Sequence, residues 1–405
     1  MFKRIFPSII LISFLLFSSI LSARSGFVVG PVTSGLTSCY LSVPFYYQDT
    51  GYYCGPASLE MVFNFCGPDI PQFEIADAAN TNQYGTTCYD MVRAAHFSNL
   101  STSVGSELPW NITGYSARKL GYAAFQRQGM SLEELKSLIV AGYPIIVCMQ
   151  YSREWTNGHF RVVVGYNETH VTVNDPWFYS PYWGPNVNMS SSEFLYLWQF
   201  SDYCGLLVSP WNVSISVPEN VEKNGIFRVT ATIMYPCPPP FPTSEYSASP
   251  AYATITLPEG LELLPNETLK KPIGQDRFYP GDSATTSWTV KADMTGMYAV
   301  SVESEGTITG LIPYSYEDKI GGSSNITIQV KEASTAIPGD LNHDGTVDIL
   351  DIVTMASIYG CREGDSRFNP EADLAPPYGI IDIFDVVTCA SHYKEKARAS
   401  EHTFL

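Results

Sequence analysis

The sequence predicts a multidomain α+β chain built from three folded units, and three observations carry that prediction. Helical and strand patterns mix from about Leu41 to Val208. From about Ser209 to Val330 only strand patterns remain. From about Pro338 to Tyr393 an internal repeat appears, "DILDIVTMASIYG" and "DIFDVVTCASHYK" aligning without a gap. A length of 405 residues is too great for one ordinary core, so several domains are expected on size alone. The boundaries are placed at 1–25 for an export segment, 26–208, 209–333 and 334–396 for the three units, and 397–405 for a polar tail.

The export segment reads "MFKRIFPSIILISFLLFSSILSARSG". Lys3 and Arg4 precede an uncharged apolar run from Ile5 to Leu21, and small residues follow near Ala23 and Ser25, as in a cleaved secretory signal. The run is also long enough to stay as an N-terminal anchor. Seven N-x-S/T sequons, at Asn99, Asn111, Asn167, Asn188, Asn212, Asn266 and Asn325, agree with a secreted or cell-surface location.

In the first unit, "SLEELKSLIVAGYP" reads as a helix with Ser131 as N-cap, Glu133 and Glu134 in the first turn and Gly142 as the stop. "PIIVCMQY", "FRVVVGYN" and "HVTVND" follow as strands, so helices come first and an antiparallel sheet after. The second unit carries "FRVTATIMY", "YATITLP", "TTSWTVKA", "YAVSVES" and "NITIQV" between Gly, Pro, Asn and Asp breaks. This is the pattern of an all-β, immunoglobulin-like sandwich, and "PCPPPFPTSEYSASP" is a stiff loop within it. In the third unit each repeat joins an acidic loop to an amphipathic helix.

A formal net charge of -17 leaves no basic surface for nucleic acid or for an anionic membrane. Nine cysteines in an exported chain suggest disulfides, and the odd count leaves one for other work. Cys148, in the apolar run "YPIIVCM", reads equally as a buried thiol or as a half-cystine.

The stretch "VPFYYQDTGYYCGPASLEMVFNF" holds the chemistry. Pro56 suits the first turn of a helix, which places Cys54 at the helix N-terminus. There the macrodipole and the free amides favour a thiolate nucleophile. Gln48, on an incoming strand, can aim its amide at an oxyanion. Downstream, "NGHFRVVVGYNETHVTVNDPW" puts His159 at the start of one strand and Asp175 at the end of the next. An antiparallel pairing brings these far ends together, so the carboxylate can orient the imidazole. Taken singly, each residue has a plainer reading as a half-cystine, a loop histidine or a turn former. The ordered set does not.

"VPFYYQDTGYYCGPASLEMV", "GYPIIV", "GHFRVVVGY" and "VNDP" together resemble the papain-like cysteine peptidases of the double-glycine leader (bacteriocin-processing) type, in their free-standing secreted branch. The resemblance spans roughly Leu41 to Trp198. It implies a papain-like fold with Cys54 as nucleophile, His159 as base and acid, Asp175 as orienter and Gln48 as oxyanion donor, and no cofactor for catalysis.

In the third unit, "DLNHDGTVDILD" sets oxygens at the spacing of an EF-hand-type calcium loop: Asp340, Asn342, Asp344, the Thr346 carbonyl, Asp348 and Asp351, with Gly345 at the turn. The second copy, "DLAPPYGIIDIFD", keeps Asp373, Asp382 and Asp385. It has an inserted residue, and Ala375 to Pro377 stand where ligands are needed, so a weak, altered or empty site is expected. The paired loops resemble a type I dockerin module, which implies a cohesin-type scaffold as partner. Ile349-Leu350 and Ile383-Phe384 depart from the usual dockerin pattern, and packing of that apolar face on the neighbouring β domain is the alternative. Such divergent tails resemble those of archaeal exported proteins.

The expected function is a secreted cysteine peptidase that hydrolyses peptide bonds through an acyl-thioester, with peptide or protein as substrate and calcium in the tail. The alternatives are a cell-wall amide or isopeptide hydrolase using the same triad, and a non-enzymatic peptide-binding or adhesion protein.

Overall fold

The structure is a computed structural model that describes residues 36–101, 113–179, 183–332 and 337–396. The export segment 1–25, the sequon at Asn111 and the tail 397–405 lie outside the described residues.

The first unit opens with a short strand, β1 (Cys39–Tyr40), and three helices: α1 (Cys54–Cys66), α2 (Gln72–Ala78) and α3 (Cys88–His96). Then come β2 (Ala123–Arg127), α4 (Leu132–Val140), β3 (Ile145–Gln150), β4 (Gly158–Tyr166), β5 (His170–Asp175), β6 (Gly184–Ser190), α5 (Ser191–Trp198) and β7 (Gly205–Ser209). The sheet runs β2-β7-β3-β4-β5-β6, with β1 added against β4, and these strand pairs are antiparallel. Helices α1 to α3 cover one face, packing on Ile146, Phe160, Val162, Val164 and Leu206. Helices α4 and α5 cover the other, over Ile145, Val147 and Val163. Because strand side chains alternate, a sheet covered on both faces needs the near-continuous apolar runs that "IIVCM" and "VVV" supply. Helix α4 begins as the sequence predicts: Ser131 accepts from the Glu134 amide while Glu134 returns to the Ser131 amide.

The second unit is a two-sheet sandwich. Its strands are β8 (Asn212–Ser216), β9 (Val221–Glu222), β10 (Ile226–Met234), β11 (Ala251–Thr256), β12 (Leu261–Leu263), β13 (Lys270–Pro272), β14 (Ser283–Ala292), β15 (Gly296–Gly310) and β16 (Tyr316–Lys331). The sheets are β12-β14-β10-β8 and β13-β11-β15-β16-β9. Trp288, Val290, Val300, Val302 and Ile328 fill the space between them. The Pro-rich stretch between β10 and β11 is a loop, as its missing amide donors require.

The two units are joined through a buried seam. Arg93 of α3 and Asp318 of β16 form an ion pair of 3.2 Å with both side chains fully buried. The Arg93 guanidinium also lies over the Phe97 and Tyr316 rings at 4.6 and 4.8 Å. Burial and the adjacent Arg93 push the His96 imidazole down to about 3, so the ring is neutral. It accepts from the Tyr316 hydroxyl at Nδ1 (2.8 Å) and donates from Nε2 to the Ala124 carbonyl (3.1 Å). Gly121 and Gly321 meet backbone to backbone, the Gly321 amide donating to the Gly121 carbonyl at 3.0 Å. A Cβ on Gly121 would lie 1.8 Å from the His96 carbonyl oxygen, so no larger residue fits.

The third unit pairs α6 (Ile349–Ser357) with α7 (Ile383–Ser391) over Val347, Met355, Ile381 and Cys389. Two carboxylates hold the two loops in matching ways. Asp351 accepts the Leu341, Asn342 and Asp348 amides, and Asp385 accepts those of Leu374, Ala375 and Asp382. The apolar face does not pack on the sandwich, contrary to the alternative drawn from the sequence. Ile349, Leu350, Val353, Ile383, Phe384 and Val387 remain exposed. Each helix buries its opposite stripe against its partner, so this stripe is left outside.

Candidate active site

Cys54 is the first residue of α1. The helix has no side-chain cap and no acidic residue in its first turn, so its leading amides and the positive end of its dipole are left for an anion. Gly55 packs closely, because a Cβ there would come within 2.8 Å of the Met91 sulfur. That contact fixes the N-terminus of α1 against α3.

His159 and Asp175 come together through strand pairing. Val162 of β4 lies opposite Asn174 of β5, so the start of β4 runs past the end of β5. His159 donates from Nε2 to Asp175 Oδ1 at 2.7 Å, with the two side chains almost wholly buried. This leaves Nδ1 as the free ring nitrogen, and the Cys54 thiol makes a hydrogen-bonding contact with the imidazole. Burial alone would depress the imidazole, but Asp175 and Cys54 outweigh it and raise the ring to about 9. The folded state therefore holds a proton that the unfolded chain releases near 6.5. The stability this adds is complete below that value and lost as pH rises through about 9.

Asp175 does more than orient the imidazole. Its Oδ2 accepts from Arg161 Nε at 2.7 Å, and its Oδ1 also accepts the Trp177 amide at 2.9 Å. Burial works against the ionised carboxylate, yet Arg161 and His159 hold Asp175 below the usual carboxylate range. Arg161 itself is fully buried and spans to the next strand, donating to the Tyr151 carbonyl at 2.8 Å and the Gln150 carbonyl at 3.3 Å. The sequence reading missed this residue. Its signal was an arginine inside the apolar run "GHFRVVVGY", a position that demands a buried acidic partner.

Gln48 lies on an irregular extended segment, not on a strand as expected, since nothing pairs with that stretch as a sheet neighbour. Its amide N–H donates to the Pro176 carbonyl at 2.9 Å, which ties it to the residue after Asp175. Its side-chain Nε2 donates to the Thr50 carbonyl at 2.6 Å, leaving a second N–H on that nitrogen, while Oε1 is buried without a protein partner. Gln72, also missed, fastens this segment. It accepts the Asp49 amide at 2.9 Å and donates to the Tyr47 carbonyl at 2.8 Å and to Glu60 of α1 at 2.7 Å.

A cleft of about 620 Å³ opens over Cys54 and His159. Tyr52, Tyr84, Tyr151, Trp155, Trp177 and Phe200 contribute to its walls, and among the described residues no Asp, Glu, Lys or Arg lines it. Trp155 stacks on Tyr151 at 5.4 Å, and Tyr151 meets the His159 ring edge-on at 5.2 Å.

The calcium-type residues sit elsewhere, in the third unit. Asp340 Oδ2 accepts the Gly345 amide, Asn342 Oδ1 the Asp344 amide, Asp344 Oδ1 the Thr346 amide and Asp348 Oδ1 the Leu350 amide. Asp373 and Asp382 repeat this with Gly379 and Phe384. With these oxygens turned to backbone amides, no group of three or more His, Cys, Asp or Glu is gathered to hold a metal ion among the described residues. Asp340 Oδ1 and Asp373 Oδ1 are nevertheless buried without a partner.

Residues 40–199 match the model of the Peptidase_C39 like family. A protein of Methanothermobacter marburgensis described as uncharacterized is 28% identical over 129 residues, covering 32% of this chain and 68% of its own. Among solved structures, the peptidase domain of Streptococcus ComA, a bifunctional ABC transporter of a quorum-sensing pathway, is 21% identical. It covers 41% of this chain and 96% of its own, with a TM-score of 0.30. A protein of Bacillus anthracis described as a putative C39-like peptidase is 18% identical, covering 42% of this chain and 96% of its own, with a TM-score of 0.29. The first unit is thus a cysteine-peptidase-like domain with a papain-like fold.

Arg161→Gln should lower kcat at least about tenfold, since roughly 1.4 kcal/mol of lost orientation already produces that factor. KM should change little, because Arg161 does not line the cleft. Steady-state kinetics on a fluorogenic peptide separates the two constants.

Proposed function

We propose that the chain is an exported cysteine peptidase working through Cys54, His159 and Asp175. The observation that carries this reading is the buried Asp175–His159 hydrogen bond at 2.7 Å, with the Cys54 thiol on the same imidazole at a helix N-terminus. The Cys54 thiolate attacks the substrate carbonyl, and the proton it gave up resides on His159. The α1 amide end and the remaining Gln48 N–H stabilise the oxyanion. His159 then protonates the leaving amine, and water, deprotonated by the same imidazole, hydrolyses the acyl-thioester.

The cleft favours peptide segments with uncharged side chains beside the scissile bond. A Lys or Asp side chain entering it would lose water with no opposite charge to meet. Export is supported by the sequons as well as by the N-terminal pattern: Asn99, Asn167, Asn188, Asn266 and Asn325 are all exposed. Among the described residues no helix is long and apolar enough to cross a membrane.

For the third unit we propose calcium binding in the first loop. The orphaned Asp340 Oδ1 fits a hard cation, and Asn342, Asp344, Asp348, Asp351 and the Thr346 carbonyl supply further oxygens. Bound calcium would neutralise the crowded carboxylates and tighten the loop. The second loop keeps its own orphan, Asp373 Oδ1, with Asp382 and Asp385, but offers no side-chain oxygen from Leu374 to Ile381 apart from the Tyr378 hydroxyl. The paired exposed stripes, Ile349-Leu350-Val353 and Ile383-Phe384-Val387, are the surface a cohesin-type scaffold would take.

Cys54→Ala should abolish turnover and labelling by iodoacetamide-type probes at that position while circular dichroism stays unchanged. Gln48→Ala should lower kcat by about a hundredfold with KM nearly constant. A Cys54→Ala chain as active as the parent would refute the peptidase reading.

Calorimetry of the full chain with calcium should show one firm site, with at most one weaker site beside it. The firm site should vanish when Asp340 and Asp344 are both changed to Ala. Two equal tight sites, or none, would count against the assignment.

A further inference from the structure

Three cysteines outside the triad meet beside the cleft. Cys88, Cys148 and Cys204 are not disulfide-bonded in the structure. Cys88 Sγ lies 3.4 Å from Cys204 Sγ, too far for the bonded separation of about 2.05 Å but within contact. Cys88 also makes a side-chain hydrogen bond with Cys148. The contacts follow from the fold. Strands β3 and β7 pair with Ile146 opposite Leu206 and Val147 opposite Gly205, so Cys148 and Cys204 face each other one step further on. The Ser201 hydroxyl locks that end, donating to the Cys148 carbonyl and accepting the Cys204 amide at 3.3 Å. Cys88 comes from the helical layer on that same face, as the first residue of α3.

The three thiols differ in access. Cys148 lines the cleft that holds Cys54 and His159, whereas Cys204 is only 2% exposed. We propose that Cys88, Cys148 and Cys204 form a thiol–disulfide exchange site, in which Cys148 receives the oxidant from the cleft and Cys88–Cys204 is the stable product. The oxidant is a small organic disulfide, R–S–S–R.

The exchange is balanced at each step. The Cys148 thiolate attacks one sulfur of the reagent, forming a Cys148–S–R bond and expelling RS⁻, which takes up the proton that Cys148 lost. The Cys88 thiolate then attacks the Cys148 sulfur, a Cys88–Cys148 bond forms, and the second RS⁻ leaves with the proton from Cys88. Finally the Cys204 thiolate attacks the Cys88 sulfur and returns Cys148 as a thiolate, which recovers the proton from Cys204. Two protein thiols are oxidised, R–S–S–R is reduced to two R–SH, and Cys148 ends unchanged. Hydrogen bonding from Cys88 lowers Cys148 and Cys204 below the usual thiol range while the same contacts raise Cys88, so Cys148 attacks first and Cys88 follows only once the Cys148 sulfur is capped. The product ties α3 to the residue that leads into β7.

The test uses the full chain carrying Cys54→Ala, so that the catalytic thiol cannot react. The chain is reduced, freed of reductant, exposed to 2-hydroxyethyl disulfide, quenched at intervals by alkylation, and mapped by mass spectrometry without reduction. An early hydroxyethylthio adduct on Cys148 should give way to a Cys88–Cys204 crosslink with Cys148 open to alkylation. Cys148→Ser should slow the crosslink more than tenfold. Free Cys88 and Cys204 at the end, Cys88 joined to a cysteine outside the trio, or a crosslink at the parent rate in Cys148→Ser would each overturn the proposal. So would a crosslink in the Cys54→Ala chain with no earlier Cys148 adduct, a result that needs no further variant to fold. None of these outcomes depends on whether the chain cleaves peptides.

Discussion

The Asp175 carboxylate is the group on which the proposed active site depends. It is fully buried, and its two oxygens receive His159, the Trp177 amide and Arg161. A buried carboxylate with a single cationic partner risks sharing or losing its charge as that partner titrates. Here the permanent charge of Arg161 keeps the acid ionised whether or not the imidazole is charged. The carboxylate can therefore hold His159 in one tautomer and one orientation through a cycle in which the ring gains and loses a proton. Arg161 in turn is anchored by two carbonyls of the neighbouring segment, so the geometry of three chain segments converges on one acid.

The remainder of the first unit brings Cys54 to that imidazole. Helix α1 packs closely on α3 at Gly55, and Gln72 clasps the segment before the helix to Glu60 within it. Burial raises Glu60 to about 7, so near neutrality this residue of α1 does not carry a full negative charge. The seam to the sandwich rests on α3 as well, through Arg93 and His96. The β domain thereby braces the same helix that positions Gly55 and carries Cys88. Removing the sandwich would take Asp318 away and leave Arg93 without its ion-pair partner, so the second unit contributes directly to the rigidity of the first.

The sequence made some of this legible and not the rest, for physical reasons. Cys54, His159 and Asp175 could be placed because a helix start and the two ends of a β-hairpin are local features with known geometry. Gln48 could be named but not its support, since Gln72 reaches it only through tertiary packing. Arg161 was visible as an anomaly, a charge in an apolar strand, but its partner depended on strand register. The contact of Cys88 with Cys148 and Cys204 was hidden for the same reason: it combines a sheet register with a helix crossing. In the third unit the repeat and its loop spacing were plain. Where its apolar stripe went was not, because nothing local distinguishes a stripe that packs from one that stays exposed.

The central claim is that Asp175 and its partners keep a charged imidazole in the folded protein at neutral pH. The direct measurement is an NMR titration of His159 in the full chain with ¹⁵N-labelled histidine, following its ring nitrogens from pH 5 to 11. Nε2 should stay protonated throughout, and the second ring proton should be lost near pH 9. Loss of that proton near the ordinary value of 6.5, or a tautomer protonated at Nδ1, would contradict the claim.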